Sequence, residues 1–274
     1  MAPVKFDDIH KTANEVLSDD FQTSGYQFKA KQKTNFDGAV VTSTVDLFPP
    51  KDTVATPAKL SWKLPAPLGF GAVCIDKLEM DKAGKYKLEA SSDKIYKGLK
   101  VECKSDLADP SKVAAGFTYT GMADTLVKFE TKPAKPQDFV LEVTRTAGIA
   151  TFGCKAGMAS ISCPDMGVRF LSGPFFCSLY AKDKISAFTA HAFYKATPEI
   201  KVAASCDYGK KKAFSVGLAY DVIKGTKLKV KVQHDQSVSC SLKHDLSKGF
   251  TVLAGARYDT KTKDYSTGLQ LSIE

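Results

Sequence analysis

The sequence predicts an all-β chain: about 19 short amphipathic strands behind one N-terminal helix. Three observations carry this. Apolar and polar residues alternate with period two through most of the chain after residue 25, as strand side chains on opposite faces require. Turn-forming clusters of Gly, Pro, Asn, Asp and Ser recur at intervals of roughly 13 residues. Residues 6–20 instead repeat their apolar positions at three- and four-residue spacing, the period of a helix.

The helix comes first. Phe6, Ile9, Ala13, Val16 and Leu17 share one side, and Asp7, Asp8, Lys11, Asn14 and Glu15 the other. The two aspartates stand in the first turn, where the helix dipole favours them. Helices under ~12–15 residues are marginal in water, so this stripe needs an apolar surface: the inner wall of a barrel, or a membrane surface. Gly25 is a plausible release point, which divides the chain into a helix and hinge (1–24) and a β unit (25–274).

The strands follow in order. Tyr26, Phe28 and Ala30 alternate with Lys29, Lys31 and Lys33, and Leu60, Trp62 and Leu64 with Lys59, Ser61 and Lys63. Leu99, Val101 and Cys103 alternate with Lys100, Glu102 and Lys104. Phe139, Leu141 and Val143 begin the next clear run, and the pattern blurs between 148 and 194. It returns in Ile200–Cys206 and Phe214–Tyr220. Leu228, Val230 and Val232 then alternate with Lys227, Lys229 and Lys231, and Val238, Cys240 and Leu242 with serines. Tyr265, Thr267, Leu269, Leu271 and Ile273 close the chain. Asp37-Gly38, Pro49-Pro50, Ala83-Gly84, Asp109-Pro110, Gly173-Pro174, Gly209-Lys210-Lys211 and Lys224-Gly225 are among the turns.

Composition excludes several classes. The 274 residues are 43% hydrophobic and carry a formal charge of +9, yet no run approaches the ~18–20 apolar residues of a spanning helix. A membrane barrel is untouched by that test, because alternate residues of its strands are polar. The first residues lack the apolar core of a secretory signal and are too acidic for a typical transit peptide. The seven Cys contain no C-x-x-C pair, and the four His (10, 191, 234, 244) share no ligand spacing. Gly69-x-Gly71-x-x-Cys74 lacks the third glycine of a dinucleotide loop, and no hydrolase or phosphate-loop motif occurs. No enzymatic activity, metal, cofactor or nucleic-acid partner is expected.

Two architectures remain on pattern alone: a closed membrane barrel, or a soluble β protein that binds a lipid or other ligand. About 19 strands exceed one ordinary open sheet. The apolar faces mix Ala, Cys, Thr and Gly with larger residues, which suits lipid better than a close-packed core. In a barrel the lysines must face the lumen, since each would cost roughly 2–4 kcal/mol at mid-depth on the lipid side. Lys29, Lys31, Lys33, Lys59, Lys63, Lys100, Lys104, Lys227, Lys229 and Lys231 would then line water and attract anions. Neighbouring acids such as Glu102 and Asp207 limit this to a mild preference.

Four features together resemble the eukaryotic mitochondrial porins, the voltage-dependent anion channels. Phe6–Leu17 is similar to that family's N-terminal helix: aromatic, x, Asp, aliphatic, x, Lys, x, Ala, then an acid and an apolar pair. Lys97-Gly98-Leu99-Lys100 contains a Gly-Leu-Lys motif within a strand. Ser266, Gly268, Leu271 and Ile273 fit the mitochondrial barrel-sorting signal: polar, x, Gly, x, x, apolar, x, apolar. The plan of one helix plus a barrel covers the whole chain. The hinge departs from the family in holding a single glycine, Gly25, and Asp76 is the nearest counterpart of the lipid-facing carboxylate that some members carry.

The resemblance implies a 19-stranded transmembrane barrel with the helix in the pore and a part for that helix in voltage gating. It implies passage of ATP, ADP, phosphate and small organic anions across the mitochondrial outer membrane, with membrane lipid as surroundings and a homo-oligomer as a possible assembly. Lys100, the lysine of Gly-Leu-Lys, becomes a candidate contact for nucleotide phosphates, as does Lys11. A protein-translocation pore of the same barrel design is the rival, but it implies more acidic lumen patches and a longer N-terminal extension.

Overall fold

A single sheet of nineteen strands closes on itself in the computed structural model. The structure describes residues 3–34, 38–47, 58–65, 67, 71–81, 84–209 and 212–274. The expected turns at Pro49-Pro50, Asp37-Gly38, Ala83-Gly84 and Gly209-Lys210-Lys211, and Gly69, lie wholly or partly outside these residues.

The strands are β1 (Gly25–Lys33), β2 (Val40–Asp46), β3 (Ala58–Leu64), β4 (Cys74–Asp81), β5 (Tyr86–Tyr96), β6 (Leu99–Asp106) and β7 (Asp109–Tyr119). Next come β8 (Thr125–Lys132), β9 (Lys135–Ala147), β10 (Ala150–Gly157), β11 (Asp165–Ser172), β12 (Phe175–Lys182) and β13 (Ala187–Lys195). The last are β14 (Ile200–Tyr208), β15 (Ala213–Ile223), β16 (Thr226–Gln233), β17 (Ser237–Ser247), β18 (Phe250–Asp259) and β19 (Tyr265–Ile273). Each pairs antiparallel with its sequence neighbour, while β1 and β19 close the ring in parallel, Gly25 opposite Gly268 and Ala30 opposite Ile273. Every strand edge is thereby paired, as hydrocarbon demands of a spanning sheet. An open sheet or a two-sheet sandwich is excluded by this closure.

Cross-strand partners share a face, so the ladder sorts inside from outside. Lys29 lies opposite Thr44, Thr44 opposite Lys59, Lys100 opposite Thr118, Thr118 opposite Lys128, and Lys128 opposite Glu142. The other face carries Phe117, Val143, Phe152, Phe170, Leu179, Leu218, Val232 and Leu242, all exposed large apolar side chains. An exposed apolar belt of this kind is suited to lipid. No helix among the described residues is long and apolar enough to cross a membrane.

The N-terminal segment differs from the expected single helix over 6–20. It forms a 3-10 turn at Phe6–Asp8 and then α1 (Lys11–Leu17). The break has a local cause. The Phe6 carbonyl accepts the Ile9 amide (3.2 Å) and the Tyr180 hydroxyl (2.8 Å), so it does not serve a fourth-residue helical bond. That hydroxyl, having spent its proton on Phe6, accepts from His10 Nδ1 at 2.8 Å. The helix ends early because Lys229 takes the Glu15 carbonyl (2.7 Å) and the Asp19 carbonyl (3.1 Å), and Asp20 turns the backbone to φ 57°.

Candidate pore lining

The segment lies along the lysine-bearing face of the wall. Ala13, Val16 and Leu17 pack with Phe176, Ala203 and Ala219 into one apolar cluster, flanked by Leu171 and Phe193. Phe6 and Ile9 pack with Tyr180 into a second, with Val4 beside them. The Phe6 and Tyr180 rings meet edge-on, centroids 5.3 Å apart. Lys11, Glu15 and Ser18 remain exposed on the opposite side of α1.

Glycines carve the bed for this segment. A Cβ on Gly153 would stand 2.7 Å from Ile9 Cδ1 and 2.8 Å from Phe6 Cδ2. One on Gly217 would meet Leu17 Cδ2 at 2.9 Å, and one on Gly268 would meet the Gln22 carbonyl oxygen at 2.6 Å. Gly268, expected as part of a sorting signal with Ser266, Leu271 and Ile273, thus also lets the hinge pass. In that strand Leu271 and Ile273 face outward while Ser266 and Gly268 face inward. The segment's bed was missed in the sequence, although glycines set among inward polar positions were its visible signal.

The lysines share the inward face but differ in company. Asp76 bridges Lys63 (4.0 Å) and Lys100 (3.8 Å) and also accepts from Ser91, and Lys100 holds Glu102 at 3.0 Å. Glu130 bridges Lys104 (3.4 Å) and Lys128 (3.6 Å). Glu142, 1% exposed, bridges Lys128 (3.6 Å) and Lys155 (3.0 Å), and Lys155 reaches Asp7 of the N-terminal segment at 3.0 Å. Asp76 therefore stands inside, through a bulge that shifts the register between Ile75 and Lys77, and not toward lipid as its assigned counterpart would.

Between neighbouring strands elsewhere on the wall, Lys31 pairs with Glu274 (2.9 Å) and Lys227 with Asp221 (3.5 Å). Lys229 departs from the expected water-lining role: it is buried, binding the two α1-end carbonyls and Asp20 at 3.3 Å. A cation there complements the helix C-terminus. Asp20 also meets Lys243 at 3.4 Å; burial opposes its charge, yet the two ammonium groups outweigh this and hold its carboxyl below the usual carboxylate range. Lys231 sits over the Phe21 ring at 4.7 Å. Among the described residues, Lys29, Lys33, Lys59 and Lys231 have no carboxylate within 4.0 Å. No cluster of His, Cys, Asp or Glu among the described residues could hold a metal.

The chain matches the eukaryotic porin family over residues 2–268. It belongs to the eukaryotic porins. No curated protein matches it. Among solved structures, engineered mutants of the Rhodopseudomonas blastica porin are similar to it at low levels. A double mutant of that porin is 9% identical with a TM-score of 0.49, covering 81% of this chain and 92% of that one. A quintuple mutant is 8% identical with a TM-score of 0.48, covering 72% and 91%. At these values the overlap adds nothing to the family match. This porin is a pore-forming transmembrane β-barrel, a channel and not an enzyme at the level of its family.

Proposed function

We propose that this porin is a mildly anion-selective, voltage-dependent channel of the mitochondrial outer membrane, passing ATP, ADP, phosphate and small organic anions. The observation supporting selectivity is the set of inward lysines without a close carboxylate: Lys29, Lys33, Lys59 and Lys231. Fixed positive charge in a low-dielectric tunnel raises local anion concentration. The selectivity is mild because Lys63, Lys100, Lys104 and Lys227 are each offset by an acid. Exposed Lys11, on the water side of α1, is a further contact for a phosphate, more open than the doubly paired Lys100. The apolar stripe of α1 against the wall supports a gating role, because its docking sets how much of the bore stays open.

The test is reversal potential in a planar bilayer under a salt gradient. The triple variant Lys29→Glu, Lys33→Glu, Lys231→Glu is expected to reverse the preference to cations, with Lys100→Glu causing a smaller shift. An unchanged reversal potential in the triple variant would overturn the selectivity.

A further inference from the structure

At the regularly paired positions of the described strands, alternation turns one charge toward hydrocarbon. On β9, Glu142, Thr144 and Thr146 are buried on the inward face, so Val143 and Arg145 point outward. Arg145 lies opposite Phe152 of β10 and Thr125 of β8. At the other regularly paired positions of the described strands, every Lys, Arg, Asp and Glu falls on the inward face. Arg145 is exposed and makes no hydrogen bond or ion pair with another described residue.

Its depth makes the charge tolerable. Arg145 stands two residues before the end of β9 at Ala147, about 7 Å from the rim at strand rise. There an outward cation costs about 0–1 kcal/mol instead of the ~2–4 of the midplane. A long side chain can also lift its head toward the interface.

Immediately beside it, the outer surface sinks into an open apolar groove of about 630 Å³ across β9–β12. Phe152, Phe170, Leu179 and Met166 wall it, and Cys154 and Ala181 leave its floor low. Arg145 is its one charged lining residue.

We propose that Arg145 and this groove form a phospholipid site, with the guanidinium on the phosphate and an acyl chain in the groove. An unpaired planar fork at headgroup height matches a phosphate, and a hydrocarbon slot starting beside it matches the attached chain. The occupant is a glycerophospholipid of the surrounding bilayer, since the groove opens onto the lipid belt. The site rests on the barrel fold and is independent of the pore's selectivity.

The experiment refolds the full chain in detergent micelles and counts retained lipid by native mass spectrometry, with dioleoylphosphatidylcholine as probe and dioleoylglycerol as its phosphate-free control. The natural chain is expected to retain one phosphatidylcholine. Arg145→Gln is expected to lower that retention about tenfold, as loss of a charge-assisted contact implies, and Arg145→Lys to restore part of it. Ala181→Phe, which fills the groove and leaves the guanidinium in place, is expected to lower it as well. Equal retention by the natural chain and both loss variants would overturn the site. So would equal retention of dioleoylglycerol by the natural chain, a measurement that needs no variant to fold. Single-channel conductance of Arg145→Gln is expected to match the natural chain.

Discussion

The wall from β3 to β9 and the wall from β10 to β19 handle their inward faces in opposite ways. The first is bare. Its lysines and carboxylates alternate around the ring and neutralise one another, from Lys63 through Asp76, Lys100 and Glu102, and again from Lys104 to Glu142. The second is covered by the N-terminal segment. Beneath the apolar stripe its inward positions are small, with Gly153, Gly217, Ala203 and Ala219 in contact with it, and Ser237, Ser239 and Ser241 are buried nearby. Water-filled wall keeps charge because charge there is solvated. Covered wall sheds volume where a second layer of chain must fit, and the charge it keeps there, Lys229, is held by two carbonyls and Asp20, because an unpaired buried charge is expensive. Glu142 and Lys155 mark the border, each linked to both regimes.

That border is where the comparison is easiest to break. Glu142→Gln strips a buried carboxylate from two lysines and should cost on the order of 3 kcal/mol, read as a lowered urea midpoint in micelles. If stability is unchanged, Glu142 does not join the two walls. Next, Ile9→Ala removes apolar contact from the covered wall alone and should weaken docking by about 2–4 kcal/mol. A disulfide between cysteines placed at Leu17 and Ala219, in a background without the native cysteines, should then form more slowly; an unaltered rate would mean that Ile9 does not anchor the segment.

A smaller, reversible loss is expected from pH. Burial, then nearby Lys182, depresses the basicity of His10 below its ordinary value of 6.5, against the opposing pull of Asp7 and Asp8. The docked segment thus binds this proton less readily than the released one, with Tyr180 and His191 also packed on the ring. Docking should be constant above the ordinary value and weaken as pH falls below it toward the lower docked value. His10→Gln should abolish that part of the dependence in the same cross-linking assay. Smallest of all, Asp138→Asn on the bare wall breaks an exposed Lys132 pair and should change stability by less than about 1 kcal/mol.

Legibility in the sequence followed the same division. On the bare wall each strand has one wet face and one lipid face, so alternation in 59–64 or 99–104 reads directly. The blur between 148 and 194 is the trace of the covered wall. Phe176, Tyr180 and Phe193 point inward to meet the segment while Phe170, Phe175 and Leu179 point outward to lipid, so both faces are apolar. The apolar stripe Phe6, Ile9, Ala13, Val16 and Leu17 was readable from helical spacing, but its break at His10 depends on Tyr180, 170 residues away. The bulge that turns Asp76 inward likewise follows from a register shift between strands, which periodicity within one strand cannot register.

The parallel closure of β1 on β19 has a consequence for sidedness. Strands that run the same way begin at one rim and finish at the other, so the start of β1 at Gly25 and the end of β19 at Ile273 emerge on opposite sides of the membrane. A protease site appended after Glu274 and one inserted in the 132–135 hairpin would be cut from different compartments. Stitching Ile273 to Gly25 would require a tether that runs back along the wall by the five-residue offset between them, about 17 Å at strand rise, where a hairpin-sized link would suffice in a barrel of even strand number.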